Sequence, residues 1–252
     1  MNKRYNKLGI KQTIQKQWMN YTLNMLLAGL SEKEIRAELD NYLSTQKQSG
    51  GTGERGEKTY GMAISLLSSW FSPDSDLIPL RDKALGLAKN LPDNRWLPLH
   101  WAVISASYPF WLNTAKQTGR LFNLQEKITK NQVFSRLKEQ YGDRETVARN
   151  ARYTIRSFVA WGILQDTDAR GVYDKADPYL IDDPKQSILL FESFLHTIPE
   201  AKASLETIIH HPGFFPFHMK SMTGEYIAQN SDLVEVSRYS LDNEILRLSP
   251  RL

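Results

Sequence analysis

From Gln12 to Leu27, apolar residues recur at the three- and four-residue spacing of one helical face, with Ile14, Trp18, Tyr21 and Met25 inward. Gly29 stops this predicted helix. Ser31 with Glu34 forms a capping box for a second helix through Ile35, Leu39 and Leu43. A third is predicted over about Lys58–Phe71, with Met62, Ile64, Leu66, Leu67 and Trp70 placed for packing, and a fourth over Ile78–Lys89. Leu91-Pro92-Asp93 breaks the pattern. The next segment, Leu97 to about Trp111, is apolar all round and reads as a central core helix that Pro109 kinks or ends. A helix around Asn113–Leu124 follows.

Between Ile128 and Ile181 two helical patterns joined by a tight turn give way to a hairpin pattern. Thr129 and Gln132 form a second capping box, opening a helix through Val133, Leu137 and Tyr141 that Gly142 stops. Asp143 is placed to cap the next helix, which runs to about Trp161 and Gly162. Ile163-Leu164 and Val172-Tyr173 then flank a polar turn containing Asp168, Arg170 and Gly171. Helix, tight turn, basic helix and small hairpin are the outline of a winged helix-turn-helix. Beyond it, Asp183-Pro184 starts a helix and Pro199 is expected to open another through Ala203, Leu205 and Ile209. Phe214, Phe215 and Phe217 are core candidates, and Leu233–Tyr239 with Glu244–Leu248 reads as a hairpin turning at Leu241-Asp242-Asn243. The expected fold is mainly α, a helical bundle with a central winged helix-turn-helix and a small C-terminal β-hairpin. The expected domains are a basic flexible arm (1–11), an N-terminal helical domain (12–92), the winged unit (93–181) and a C-terminal helical extension with the hairpin (182–252).

Charge sharpens this division. The net charge of +4 is unevenly spread: residues 1–20 carry five Lys/Arg and no acid, 21–96 carry −1, 97–181 carry +4 and 182–252 carry −4. A polyanion would therefore meet the arm and the winged unit. There are no cysteines, which excludes disulfides, thiol catalysis and Cys-ligated zinc, and fits a reducing cytoplasm. No run of about 18 apolar residues predicts a membrane span, and no apolar region follows the Lys-rich start to make a signal peptide. A cytoplasmic location is the expectation.

Catalytic and cofactor chemistry finds no pattern. No Gly-x-Ser-x-Gly is present, and acids such as Asp182-Asp183 sit in polar turns. The glycine-rich stretch Ser49–Gly56 lacks the Gly-Lys-Ser/Thr of a phosphate loop and reads as flexible. His210, His211 and His218 lack the spacing of a shared helical face, so no metal is expected, and His100 in its apolar helix reads as a core histidine. The expectation is a protein that is not an enzyme and needs no cofactor.

The second helix of the winged unit carries the functional signal. Arg149, Arg152, Tyr153 and Arg156 share one face, while Val147, Ala151, Ile155, Phe158 and Val159 lie opposite. Arginine reads guanine edges bidentately or holds phosphates. The candidate double-stranded DNA contacts are therefore Arg149, Arg152 and Arg156, with Tyr153 assisting. Arg144 and Lys130 are candidates for phosphates near the helix starts, Arg170 for the hairpin tip, and Lys3, Arg4, Lys7 and Lys11 for the arm. The hairpin's Asp166, Asp168, Asp174 and Asp177 oppose this, because a wing that hugs phosphates is expected to be basic. Two alternatives follow: a protein-interaction subunit that offers this acidic surface, or a dimeric transcription regulator.

Trp18-Met19-Asn20-Tyr21 and Leu26-Leu27-Ala28-Gly29-Leu30-Ser31-Glu32-Lys33-Glu34-Ile35-Arg36 resemble the opening of BrxA proteins, small accessory proteins of BREX phage-defence islands. The similarity of order continues through the apolar middle helix and the basic helix to Trp161-Gly162-Ile163-Leu164, covering roughly Trp18 to Leu164. The chain departs from that pattern by its extension from about Asp182. The resemblance implies double-stranded DNA binding without catalysis, beside a methyltransferase, an ATPase and other defence-system proteins.

Overall fold

The computed structural model describes residues 3–46, 57–240 and 243–249. The glycine-rich stretch Ser49–Gly56 and the first two residues of the turn expected at Leu241-Asp242-Asn243 lie outside the described residues.

Helices α1 (Lys16–Leu27) and α2 (Glu32–Ser44) form the expected hairpin. Gly29 between them sits at φ +83°, a conformation L side chains rarely adopt. The capping box is present: Glu34 N donates to Ser31 Oγ, and Ser31 N donates back to Glu34 Oε2 at 2.7 Å. α3 (Glu57–Phe71) packs on both, and α4 (Ile78–Ala88) follows. α5 (Leu97–Ser107) is buried at every position from Leu97 to Ala106, as an all-round apolar sequence requires. The chain breaks at Tyr108 (φ −132°, ψ 83°), because a residue before proline is pushed out of the helical region. Pro109 then opens α6 (Pro109–Phe122), so the core helix ends where Pro109 is expected to kink or end it.

α9 (Pro184–Leu195) is buried from Gln186 to Leu195 and lies along α5. One core cluster therefore runs from Ile10 to Leu246 and crosses the expected boundaries at 92 and 181. The separate domains 12–92, 93–181 and 182–252 are corrected on this ground: α9 cannot bury both its faces without α4 and α5.

The strands are short. β1 (Lys127–Thr129), β2 (Leu164–Asp166) and β3 (Val172–Lys175) form an antiparallel sheet in the order β1-β3-β2, with Ile128 opposite Tyr173 and Gln165 opposite Asp174. β4 (Tyr179–Leu180) pairs in parallel with β6 (Phe217–His218). The C-terminal hairpin of β7 (Val234–Ser240) and β8 (Asn243–Leu248) gains a third strand, β5 (Lys202–Ser204). The helix predicted from Pro199 is thus replaced by β5 and a short α10 (Leu205–Ile209). Pairing of Lys202–Ser204 with Ile245–Arg247 overrides local propensity, and Ser204 Oγ accepts from Thr207 N to start α10. α11 (Gly224–Asn230) packs against β7.

The flexible arm 1–11 is also corrected. Residues Lys3–Asn6 make a 3-10 turn, and Ile10 and Ile14 are fully buried. Ile14 N donates to Ser157 Oγ at 2.9 Å, and Trp161 Nε1 donates to Ile14 O at 2.9 Å. Burying each isoleucine contributes about 2 kcal/mol, enough to hold a short segment that its lysines alone would leave in solvent. The segment is a strap across the molecule.

His100 is a satisfied core histidine. Trp70 Nε1 donates to its Nδ1 at 3.1 Å, and its Nε2 lies 2.8 Å from Asn20 Oδ1, so the proton sits on Nε2. Burial, with Lys16 nearby, lowers its pKa to about 3. The unfolded chain takes up a proton below about pH 6.5 that folded His100 refuses. Stability present above that pH is therefore lost as pH falls, at roughly 1.4 kcal/mol per pH unit. His100→Gln is expected to be the less stable protein at neutral pH, with the gap to wild type narrowing by that amount per unit of acidification in chemical denaturation. Parallel stability curves would overturn this assignment.

Candidate nucleic-acid interface

The basic helix is set by its start, its turn and its back. α7 (Lys130–Tyr141) begins at the Thr129 capping box, where Thr129 N donates to Gln132 Oε1 at 2.7 Å and Gln132 N to Thr129 Oγ1 at 3.2 Å. It ends at Gly142, φ +88°. Three residues later α8 (Glu145–Ala160) starts, with Arg144 rather than Asp143 at the cap position. The Asp143 carboxylate is drawn instead to Lys138 Nζ at 2.7 Å. Behind α8, the Phe158 ring lies 5.3 Å from Trp101 and 5.0 Å from Trp111, and Val147, Ala151 and Ile155 are buried alongside. With that face inward, Arg149, Arg152 and Arg156 are exposed and Tyr153 is half-buried.

Two grooves flank this outward face. One, of about 620 Å³, brings Lys7 and Lys11 of the strap beside Arg149 and Tyr153. The other, of about 590 Å³, gathers Lys130, Arg152, Arg156 and Arg170 with Asp166 and Asp168. The Lys130 stem crosses Gly171 (φ +80°), where a Cβ would stand 2.9 Å from Lys130 Cε, and Lys130 N donates to Gly171 O at 2.9 Å. The hairpin tip is thereby tied to the start of α7.

The cationic candidates are not equivalent. Among the described residues Arg149, Arg152, Lys7, Lys11, Lys130 and Arg170 make no ion pair, and Lys3 opens the N-terminal 3-10 turn. Arg156 departs from expectation: its Nη1 donates to both carboxylate oxygens of Asp166, at 2.6 and 2.8 Å, and that bond raises its pKa. It is held in register by the adjacent strand β2, so its charge is already answered within the chain. Arg144 donates through Nη2 to Tyr141 O at 2.9 Å and satisfies a carbonyl at the end of α7. Arg4 is removed from the interface altogether. It is 4 % exposed, and it binds Asp76 at 2.8–2.9 Å with Asp74 at 3.6 Å. Burial works to raise the Asp76 carboxyl, and the hydrogen bond and charge of Arg4 outweigh it, leaving it below the usual carboxylate range.

The acids of the hairpin are partly spent as well. Asp166 holds Arg156, and Asp174 lies 3.8 Å from Lys127 across β1 and β3. Sequence reasoning did not mark β1, although the β-branched Ile128-Thr129 pair was its signal, nor Asn150, which lines the first groove. Of the histidines, His211 Nδ1 accepts from Gly213 N, and its ring lies 4.7 Å from Phe194. Burial first, then Lys116 and Arg120, lower its pKa to about 3. Among the described residues no three His, Asp or Glu side chains cluster as metal ligands, and no helix is long and apolar enough to cross a membrane.

Comparison with protein-family models, curated proteins and solved structures finds no match to this chain.

Arg4 and Lys7 separate strap from arm. Arg4→Ala leaves Asp76 without its buried cation and is expected to cost about 2 kcal/mol, below the usual range for a buried pair because Asp76 keeps some solvent. Asp76 is held low, so this contribution is present above the unfolded carboxylate pKa and fades as pH falls below it. Lys7→Ala, at an exposed position, should leave the melting temperature unchanged. Equal, negligible effects from both substitutions would restore the free arm.

Proposed function

We propose that β1, α7, α8, β2 and β3 form a winged helix-turn-helix, and that the protein binds double-stranded DNA without catalysis by laying α8 in the major groove. The observation that carries this reading is the outward placement of Arg149 and Arg152, neither ion-paired among the described residues, on a helix whose other face is locked into the core. A helix of 16 residues, about 24 Å long, suits that groove. The flanks support the same reading. Lys7 and Lys11 stand on one side of α8, Lys130 and Arg170 on the other, at positions where phosphates of the two strands would pass. The acidic hairpin is less of an obstacle than its sequence suggests, since two of its four aspartates are matched by cations of the same unit.

Arg149 and Arg152 are the base-edge or phosphate contacts, Tyr153 assists, and Lys7, Lys11, Lys130 and Arg170 add salt-sensitive affinity. Arg156 contributes only when Asp166 releases it. In the setting that the BrxA resemblance implies, the protein is an accessory of a BREX-like phage-defence system, holding DNA for partner proteins in the cytoplasm.

Mobility shifts with a DNA duplex at low and high salt test the proposal. Arg149→Ala with Arg152→Ala is expected to weaken binding about a hundredfold with circular dichroism unchanged. Asp166→Asn frees Arg156 and should tighten binding, steepening the salt dependence by about one released counterion. Unchanged affinity in the double variant would refute the model.

A further inference from the structure

Arg156 and Asp166 stand together on the groove of about 590 Å³ between α8 and the hairpin. Their side chains are 44 % and 50 % exposed, so the ion pair is reachable from solvent, unlike that of Arg4 with Asp76. Its geometry is fixed. Nη1 of Arg156 donates to both oxygens of Asp166, at 2.6 and 2.8 Å, and the Tyr173 hydroxyl braces the same guanidinium. The turn at Gly162, φ +73°, sets the donor fork of α8 beside the acceptor of β2. Arginine has further N–H donors to spare, and a carboxylate has further acceptor sites.

A partner that opens this pair must answer both ends, because a guanidinium that leaves strands a carboxylate. A phosphate answers the guanidinium alone and repels Asp166. Base edges in the major groove differ from one another. A G·C pair presents two adjacent acceptors, guanine N7 and O6, and then a donor, the cytosine N4 amine. An A·T pair presents acceptor, donor, acceptor. An arginine fork followed by a carboxylate is the complement of the first pattern. The second leaves the fork one acceptor short.

We infer that Arg156 and Asp166 are the base-selecting element of α8, and that they choose a G·C pair. The guanidinium turns from Asp166 to guanine N7 and O6, and the carboxylate it leaves accepts from cytosine N4–H. This rests on the DNA reading above and adds selection to it. The cations that make no ion pair among the described residues supply affinity for any sequence, and the paired one supplies the choice of base.

Anisotropy on the full chain with three duplexes of equal length tests this: one all G·C, the same duplex with 7-deazaguanine, which lacks N7, and one all A·T. The wild type is expected to bind the G·C duplex about tenfold tighter than the A·T duplex, within the discrimination of one bidentate contact. 7-Deazaguanine should remove that advantage. Arg156→Lys keeps the charge without the fork and should bring the three affinities together. Asp166→Asn should raise affinity for the A·T duplex more than for the G·C duplex, because releasing Arg156 no longer strands a charge. The modified base alters nothing in the protein, so its readout stands even where a variant folds poorly. Equal binding of the G·C and A·T duplexes by the wild type, or an advantage that outlasts 7-deazaguanine or either substitution unchanged, overturns the inference and leaves the DNA reading in place. Absence of binding to all three duplexes removes that reading and the inference with it.

Discussion

The burial of one face of α8 against the tryptophan pair of α5 and α6 is the constraint from which the rest follows. Phe158 packs against both Trp101 and Trp111, and Trp161 closes the same cluster with its ring 4.9 Å from Trp111. Aromatic side chains of this size dominate a core, and their packing leaves little rotational freedom to the helix that carries them. Once Phe158, Ile155, Ala151 and Val147 are committed inward, helical geometry alone sends Arg149, Arg152 and Arg156 outward. The direction of the guanidiniums is a consequence of hydrophobic packing on the opposite side.

Much of this was legible in the sequence because its signals are local. The boxes at Ser31/Glu34 and Thr129/Gln132, the stop at Gly142 and the all-round apolarity of α5 each need only a few neighbouring residues to act. What escaped depends on distant partners. The strap looked like a solvated tail because its lysines dominate the composition. Its fate is decided by Ile10 and Ile14 and by hydrogen bonds to Ser157 and Trp161, more than 140 positions away. β5 likewise exists only because β8 offers its edge, and α9 could not be read as part of the same core without knowing that α5 lies against it.

Within the candidate interface, cis neutralisation was the least legible feature. Arg156 and Asp166 are ten positions apart on a helix and a strand, and only the tight turn at Gly162 brings them together. The result is a graded surface. Among the described residues Arg149 and Arg152 have no carboxylate partner, Arg156 is matched, and Arg4 has left the surface for the interior. Composition counts all four alike, yet a polyanion meets only those that the fold has not already answered.

The link between Ile14 and Trp161 also fixes an order of events in the cell. During synthesis the strap is made before α8 and Trp161, which carry the groups that bind Ile14. Until Trp161 has left the ribosome, Ile10 and Ile14 have no complete site to enter, so the strap closes late and over a long loop. The wall that carries Lys7 and Lys11 is thus assembled only after the helix it flanks, and a nascent or partly opened chain presents the arginine helix without it.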